Sequence, residues 1–131
     1  MSKRWLLIPS LVLICVMVLF GCDTKGGDLS YEQITVEEAR ALMESESGYV
    51  IIDARTEAEF AEGHIEGAIL IPEYEVASRA ESIISDKGTL ILVYCRSGRR
   101  SKIAAEALVA LGYTNVKEFG GIIDWPYETV K

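Results

Sequence analysis

The chain has 131 residues, half of them apolar, and a formal net charge of −7 from 13 basic and 20 acidic side chains. That length suits one domain with its own core, and the acidity excludes nucleic acid or anionic lipid as an electrostatic partner. No Cys-x-x-Cys pair occurs among the three cysteines, which excludes a dithiol oxidoreductase and a cysteine-rich zinc site within this chain.

The N-terminus begins with the positive Met1-Ser2-Lys3-Arg4, followed by an uncharged apolar run from Trp5 to Phe20 that Pro9 interrupts. This is the shape of a bacterial secretory signal. Its end, Leu19-Phe20-Gly21-Cys22, is similar to a lipoprotein box, in which the cysteine is lipidated and becomes the first mature residue. The alternative is an uncleaved anchor, for which the run is short of the roughly 20 apolar residues a span needs. Both place everything after Cys22 outside the cytoplasmic membrane, with Lys3 and Arg4 inside. The expected organisation is a signal peptide over 1–21, a polar tether over 22–31 and one domain over 32–131. Without the leader 110 residues remain, with 11 basic against 20 acidic side chains and a net charge of −9. The lipid on Cys22, not charge, then holds the domain to the membrane. Cys15 leaves with the leader and Cys22 is consumed by lipid, so Cys95 is the one free thiol. A lone thiol in an extracytoplasmic compartment points to reactivity.

Within the domain, strands and helices alternate. A strand is expected near Glu32-Gln33-Ile34. Thr35-Val36-Glu37-Glu38 is a capping box that predicts a helix over 36–45. The branched run Tyr49-Val50-Ile51-Ile52-Asp53 predicts a buried strand, and Thr56-Glu57-Ala58-Glu59 is a second capping box opening a short helix to Glu62. A short strand over 68–71 stops at Pro72. A helix over 73–85 follows, with Val76, Ala80, Ile83 and Ile84 inward. Thr89 to Tyr94 reads as a strand. Residues 101–111 read as a helix with Ile103, Ala107, Leu108 and Leu111 on one side and Gly112 just past its end. Residues 115–119 form a further strand and 122–127 a terminal turn or short helix. This alternation argues an α/β fold with a central parallel sheet of about five strands and helices on both faces.

Cys95 sits where the strand before it meets the helix after it, followed by Arg96-Ser97-Gly98-Arg99-Arg100-Ser101. In α/β sheets the carboxyl ends of the strands are where ligands bind. Free N–H groups of the loop and helix start, with three arginines, favour the ionised sulfur. The alternative, a buried structural cysteine, fits poorly with so polar a continuation. The reading is a thiolate nucleophile in an anion cradle.

The loop Cys95-Arg96-Ser97-Gly98-Arg99-Arg100-Ser101 resembles the active-site loop of rhodanese-type sulfurtransferases. Ile51-Ile52-Asp53-Ala54-Arg55, Glu59-Phe60, Gly63-His64-Ile65, Gly67-Ala68, Ile71-Pro72 and Gly120-Gly121-Ile122 with Trp125 are similar to other signatures of that family, in order and spacing. The resemblance covers about residues 33–127. It implies a rhodanese-like three-layer fold. It also implies that Cys95 attacks the sulfane sulfur of an anionic donor such as thiosulfate, forming a persulfide that passes to a thiol or other thiophile. No metal or organic cofactor is implied.

Arg96 and Arg99 are the expected substrate-facing charges, whereas Arg100 is free to turn inward and hold the loop. Asp53 is expected to fix the cradle by bonding loop N–H groups or an arginine, with Arg55 paired to Glu59. His64, the one histidine, is read as structural. Three alternatives remain open: a persulfide carrier serving an exported redox or sulfur-acceptor protein, an arsenate reductase-like enzyme, and a cysteine phosphatase. The last needs an arginine six positions after the cysteine, where this chain has Ser101.

Overall fold

The computed structural model describes residues 30–131. The expected leader, the lipidation site Cys22 and most of the tether lie outside the described residues. Tyr31, the last tether residue, packs against the core.

In chain order the elements are β1 (Glu32–Gln33), α1 (Val36–Ser45), β2 (Val50–Asp53), α2 (Glu57–Glu62), β3 (Ile69–Leu70), α3 (Val76–Ile83), β4 (Ile91–Cys95), α4 (Arg99–Ala110) and β5 (Val116–Gly121). Single 3-10 turns occupy Glu73–Glu75 and Ile122–Asp124. The five strands form one parallel sheet in the order β1-β5-β4-β2-β3. Both capping boxes form. Each threonine hydroxyl accepts the N–H three residues on, and each glutamate reaches back to the threonine N–H, so two end donors are satisfied at each helix start.

The central strand β4 is buried from end to end. Its alternation sorts the core into two layers. Ile91, Val93 and Cys95 face α3 and α4, packing with Val76, Ala80, Ala104, Ala105 and Leu108. Leu92 and Tyr94 face the other way, packing with Ala39 of α1 and with Phe119 and Trp125.

Two predicted helices differ in detail. Helix α4 begins at Arg99 rather than Ser101, and its inner face is Ser101, Ala104, Ala105 and Leu108, while Ile103 is 41% exposed. Small residues spaced three and four apart let this helix lie close on the sheet, and Ile103 falls outside that stripe. The segment after Pro72 starts with a 3-10 turn and α3 ends at Ile83. The chain turns extended at Ile84, which carries Ile84 into the core and leaves Ile83 exposed.

Candidate active site

Cys95 is the last residue of the central strand, between the ends of β2 and β5. The chain then turns through residues 96–98 into α4. Gly98 takes φ +109°, a conformation that strains any residue with a Cβ, and this turns its N–H onto Cys95 Sγ at 3.0 Å. The floor of the loop is Gly121, the register partner of Cys95. A Cβ on Gly121 would stand 1.8 Å from the Arg96 carbonyl oxygen, so only glycine lets β5 pass under the loop. Just beyond, the Ile123 N–H donates to that same oxygen at 3.2 Å.

Burial pushes the Cys95 thiol up. Hydrogen bonds from the Ser101 hydroxyl and from the N–H groups of Ser101, Gly98 and Ser97 outweigh it, and the thiol lies below its ordinary value. The sequence reading counted the loop N–H groups and the three arginines together. The structure gives the lead to the loop backbone and a hydroxyl, because these reach the sulfur directly. Arg96 and Arg99 are exposed. Arg100 turns to α2 and grips Glu59 with both terminal nitrogens, at 2.7 and 2.8 Å. These bonds are the first cause holding the Glu59 carboxyl well below the usual carboxylate range.

Arg55 therefore does not take Glu59, the partner expected from sequence; Asp53 does take an arginine, one of its two expected partners, but it is Arg55 and not one of the loop's. They pair with each other. Arg55 Nε lies 2.9 Å from Asp53 Oδ1 and Nη2 lies 2.7 Å from Oδ2. The Tyr94 hydroxyl donates to Asp53 Oδ2 at 2.7 Å, and the Ile65 N–H donates to Tyr94. Asp53 is fully buried and Arg55 nearly so. A carboxylate with no exposure has to take the nearest guanidinium, and Arg55 is two residues away on the same turn. The tyrosine lies beside Asp53 in the sheet register. Burial and the Asp53 charge push the Tyr94 phenol far up.

Glu118 was not singled out in the sequence. It is 2% exposed, and its Oε1 lies 2.6 Å from the Ser101 hydroxyl. The available signal was an acid in a strand interior: a central parallel strand is covered on both faces, so a carboxylate there needs partners. His64 stacks on Phe60 at 3.6 Å between ring centroids, and its Nδ1 donates to the Phe60 carbonyl. Its backbone bridges to Val130.

Beside the loop, Arg55, Glu59, Glu62, Arg96, Ile122 and Ile123 enclose about 310 Å³. A larger groove of about 580 Å³, lined by Met43, Tyr49, Trp125 and Tyr127 among others, holds no thiol. The chemistry sits by the smaller space. Among the described residues no cluster of three His, Cys, Asp or Glu side chains is placed to hold a metal ion.

The rhodanese-like domain profile matches residues 35–126. The thiosulfate sulfurtransferase PspE of Escherichia coli is 40% identical over 80 residues, covering 61% of this chain and 77% of PspE. The putative sulfur carrier protein YrkF of Bacillus subtilis is 32% identical over 112 residues, covering 80% of this chain and 60% of YrkF. A solved structure described as rhodanese with anions from E. coli superposes with a TM-score of 0.60 at 38% identity, covering 63% of this chain and 98% of that one.

Proposed function

The chain belongs to the rhodanese-like domain family of sulfurtransferases, and on that premise we propose that it moves sulfane sulfur from an anionic donor such as thiosulfate to a thiol, by way of a persulfide on Cys95. The observation that carries this reading is the Gly98 N–H held 3.0 Å from a sulfur whose thiol lies below its ordinary value.

In this reading the Cys95 thiolate attacks the outer sulfur of the donor. A new S–S bond forms to Cys95, the old S–S bond breaks, and its electron pair leaves with sulfite. The persulfide is again an anion, so the same N–H groups hold it. An acceptor thiolate then attacks the outer sulfur and Cys95 leaves as thiolate. No general base is needed if the thiol ionises before the donor arrives, which the lowered thiol favours. Cys95 is 1% exposed, so the loop admits a terminal atom rather than a bulky group. Arg96, which lines the space beside the loop, and the exposed Arg99 at the start of α4 would meet the donor's negative charge. The leader and Cys22 assign this chemistry to the outer side of a bacterial membrane, a placement that rests on sequence alone.

The test is an intact mass of the purified domain after thiosulfate treatment. One added sulfur atom, removed by a thiol and absent from Cys95→Ser, supports the proposal. An unchanged mass for the wild type overturns it. The kinship with a protein described as a sulfur carrier keeps one second reading in play. A sulfurtransferase turns over with thiosulfate and a small thiol, whereas a carrier takes one sulfur per chain and stalls until its protein partner is added.

A further inference from the structure

Most basic side chains of this molecule are neutralised by a neighbour. Among the described residues Arg40, Arg55, Arg79, Lys87, Arg100 and Lys117 are each held in an ion pair. Apart from Lys131 at the C-terminus, the described basic side chains outside those pairs are Arg96, Arg99 and Lys102. All three are exposed, and all three belong to the loop that holds Cys95 and the start of the helix after it.

These cations form a path rather than a point. Arg96 lines the space beside the loop. Arg99 opens α4, and Lys102 follows on the same side of that helix, about 4.5 Å further along its axis. A small anion that meets the sulfur end-on is served by the cations nearest the loop. A charge most of a turn down the helix serves something longer.

Apolar surface accompanies the charge. Ile103, beside Lys102, is 41% exposed, and Ile123 is 61% exposed. Ile123 lines the same space as Arg96, and its N–H donates to the Arg96 carbonyl at 3.2 Å, which keeps it at the edge of the loop. Acidic side chains border the patch. Glu62 shares that space, Asp124 follows Ile123, and Glu106 stands about one turn beyond Lys102. The whole chain carries a formal net charge of −7. A negatively charged partner is repelled by most of such a surface and drawn to this one part, which fixes its orientation over the sulfur.

We propose that the loop and the first turns of α4 dock the sulfur acceptor, an acidic protein that presents its thiol on a protruding segment with carboxylates and an apolar side chain beside it. The carboxylates meet Arg96, Arg99 and Lys102, and the apolar side chain covers Ile123. Cys95 is 1% exposed, so the acceptor thiol has to enter the loop on a segment that stands out from its own surface. What the partner carries away rests on the sulfurtransferase reading. The acceptor thiolate attacks the outer sulfur of the persulfide, an S–S bond forms to the acceptor, the bond to Cys95 breaks, and Cys95 keeps the electron pair as thiolate. The docking itself needs no sulfur.

The experiment is a titration of the nitrogen-15-labelled protein, followed by its amide NMR signals, with the peptide Asp-Glu-Asp-Leu-Ser-Gly-Asp-Glu, whose serine stands for the acceptor's cysteine. A counterpart with lysine at every acidic position is the control. The acidic peptide should shift the amides of residues 96–103 and 122–124 and saturate, and the basic one should leave them in place. Lys102→Glu should weaken binding of the acidic peptide about fivefold, the loss of one exposed ion pair. Ile123→Ser should weaken it as well. No shifts, shifts confined to the groove at Trp125, or equal shifts with both peptides overturn the proposal. Succinate giving the same shifts at the same carboxylate concentration also overturns it, because the patch then serves small anions alone. The titration uses no thiosulfate. A protein that gains no sulfur yet binds the acidic peptide refutes the sulfurtransferase reading and leaves the docking surface standing; one that gains sulfur and ignores the peptide does the reverse.

Discussion

Two buried polar clusters lie at the carboxyl end of the same sheet, on opposite faces of it. Asp53, Arg55 and Tyr94 sit on the α1 side; Cys95, Ser101 and Glu118 sit on the α4 side. Adjacent residues of β4, Tyr94 and Cys95, point one into each. The first cluster is saturated. Asp53 accepts from the Arg55 N–H, its guanidinium and the Tyr94 hydroxyl, while Arg55 also donates to the Gly63 carbonyl and Tyr94 accepts from the Ile65 N–H. The second cluster has more acceptors than hydrogens. A saturated network has one arrangement and acts as scaffold. In the second, the Ser101 hydroxyl lies within hydrogen-bond distance of three acceptors, so the surroundings of the sulfur are held through one side chain. The difference predicts that damage to the first cluster reads out as stability and damage to the second as thiol chemistry.

The largest effect expected from breaking the scaffold comes from Arg55→Ala. It leaves a fully buried carboxylate without its cation, which costs about 3–5 kcal/mol. That is a large part of the stability of an ordinary domain. Urea unfolding of the two proteins gives the difference. A loss under about 1 kcal/mol would mean the pair contributes no more than a surface ion pair, and the contrast between the clusters would fail.

Gly121→Ala acts on the other cluster through the backbone. The new methyl overlaps the Arg96 carbonyl, so the loop has to lift. Overpacking of this kind costs about 1–3 kcal/mol. The greater change is expected at the sulfur, because lifting residues 96–98 draws the Gly98 N–H off Sγ. Alkylation of Cys95 by iodoacetamide then shifts to higher pH, toward free cysteine. An unshifted profile in a folded Gly121→Ala protein would show that the loop moves without carrying its N–H groups away.

The parallel sheet, both capping boxes and the place of Cys95 were legible in the sequence, because each depends on residues close together in the chain. Thr35 with Glu38 and Thr56 with Glu59 are three apart, and the strand-to-helix join is continuous. What was not legible was the pairing of charges. Glu59 had Arg55 four residues before it, yet it took Arg100, which lies 41 positions later. Asp53 kept Arg55 because burial left it no water to prefer. Ser101 and Glu118 are 17 positions apart and meet because β5 lies beside β4, under the start of α4. The inner face of α4 was read from its larger apolar residues, whereas Ser101 faces inward beside Ala104 and Ala105 and finds its partner in the distant Glu118.

The smallest predicted effect concerns the pair that links the two clusters' elements, Glu59 on α2 and Arg100 on α4. Its side chains are 27% and 21% exposed, so solvent weakens it, and a double-mutant cycle of Glu59→Gln and Arg100→Met should give about 1 kcal/mol at pH 7. Its pH dependence follows from the carboxyl being held below its ordinary value of 4.5. A carboxyl so shifted contributes its full stability above the ordinary value and loses it only as pH falls through the lower, folded one. The coupling should therefore be the same at pH 7 and pH 5 and vanish only in strong acid. Arg100 directly precedes Ser101, so anchoring it fixes the helix start that aims the hydroxyl. The cycle repeated on the alkylation profile sharpens the contrast between the faces: a bridge that only joins helices changes stability alone, whereas one that orients Ser101 also shifts the pH at which Cys95 is alkylated.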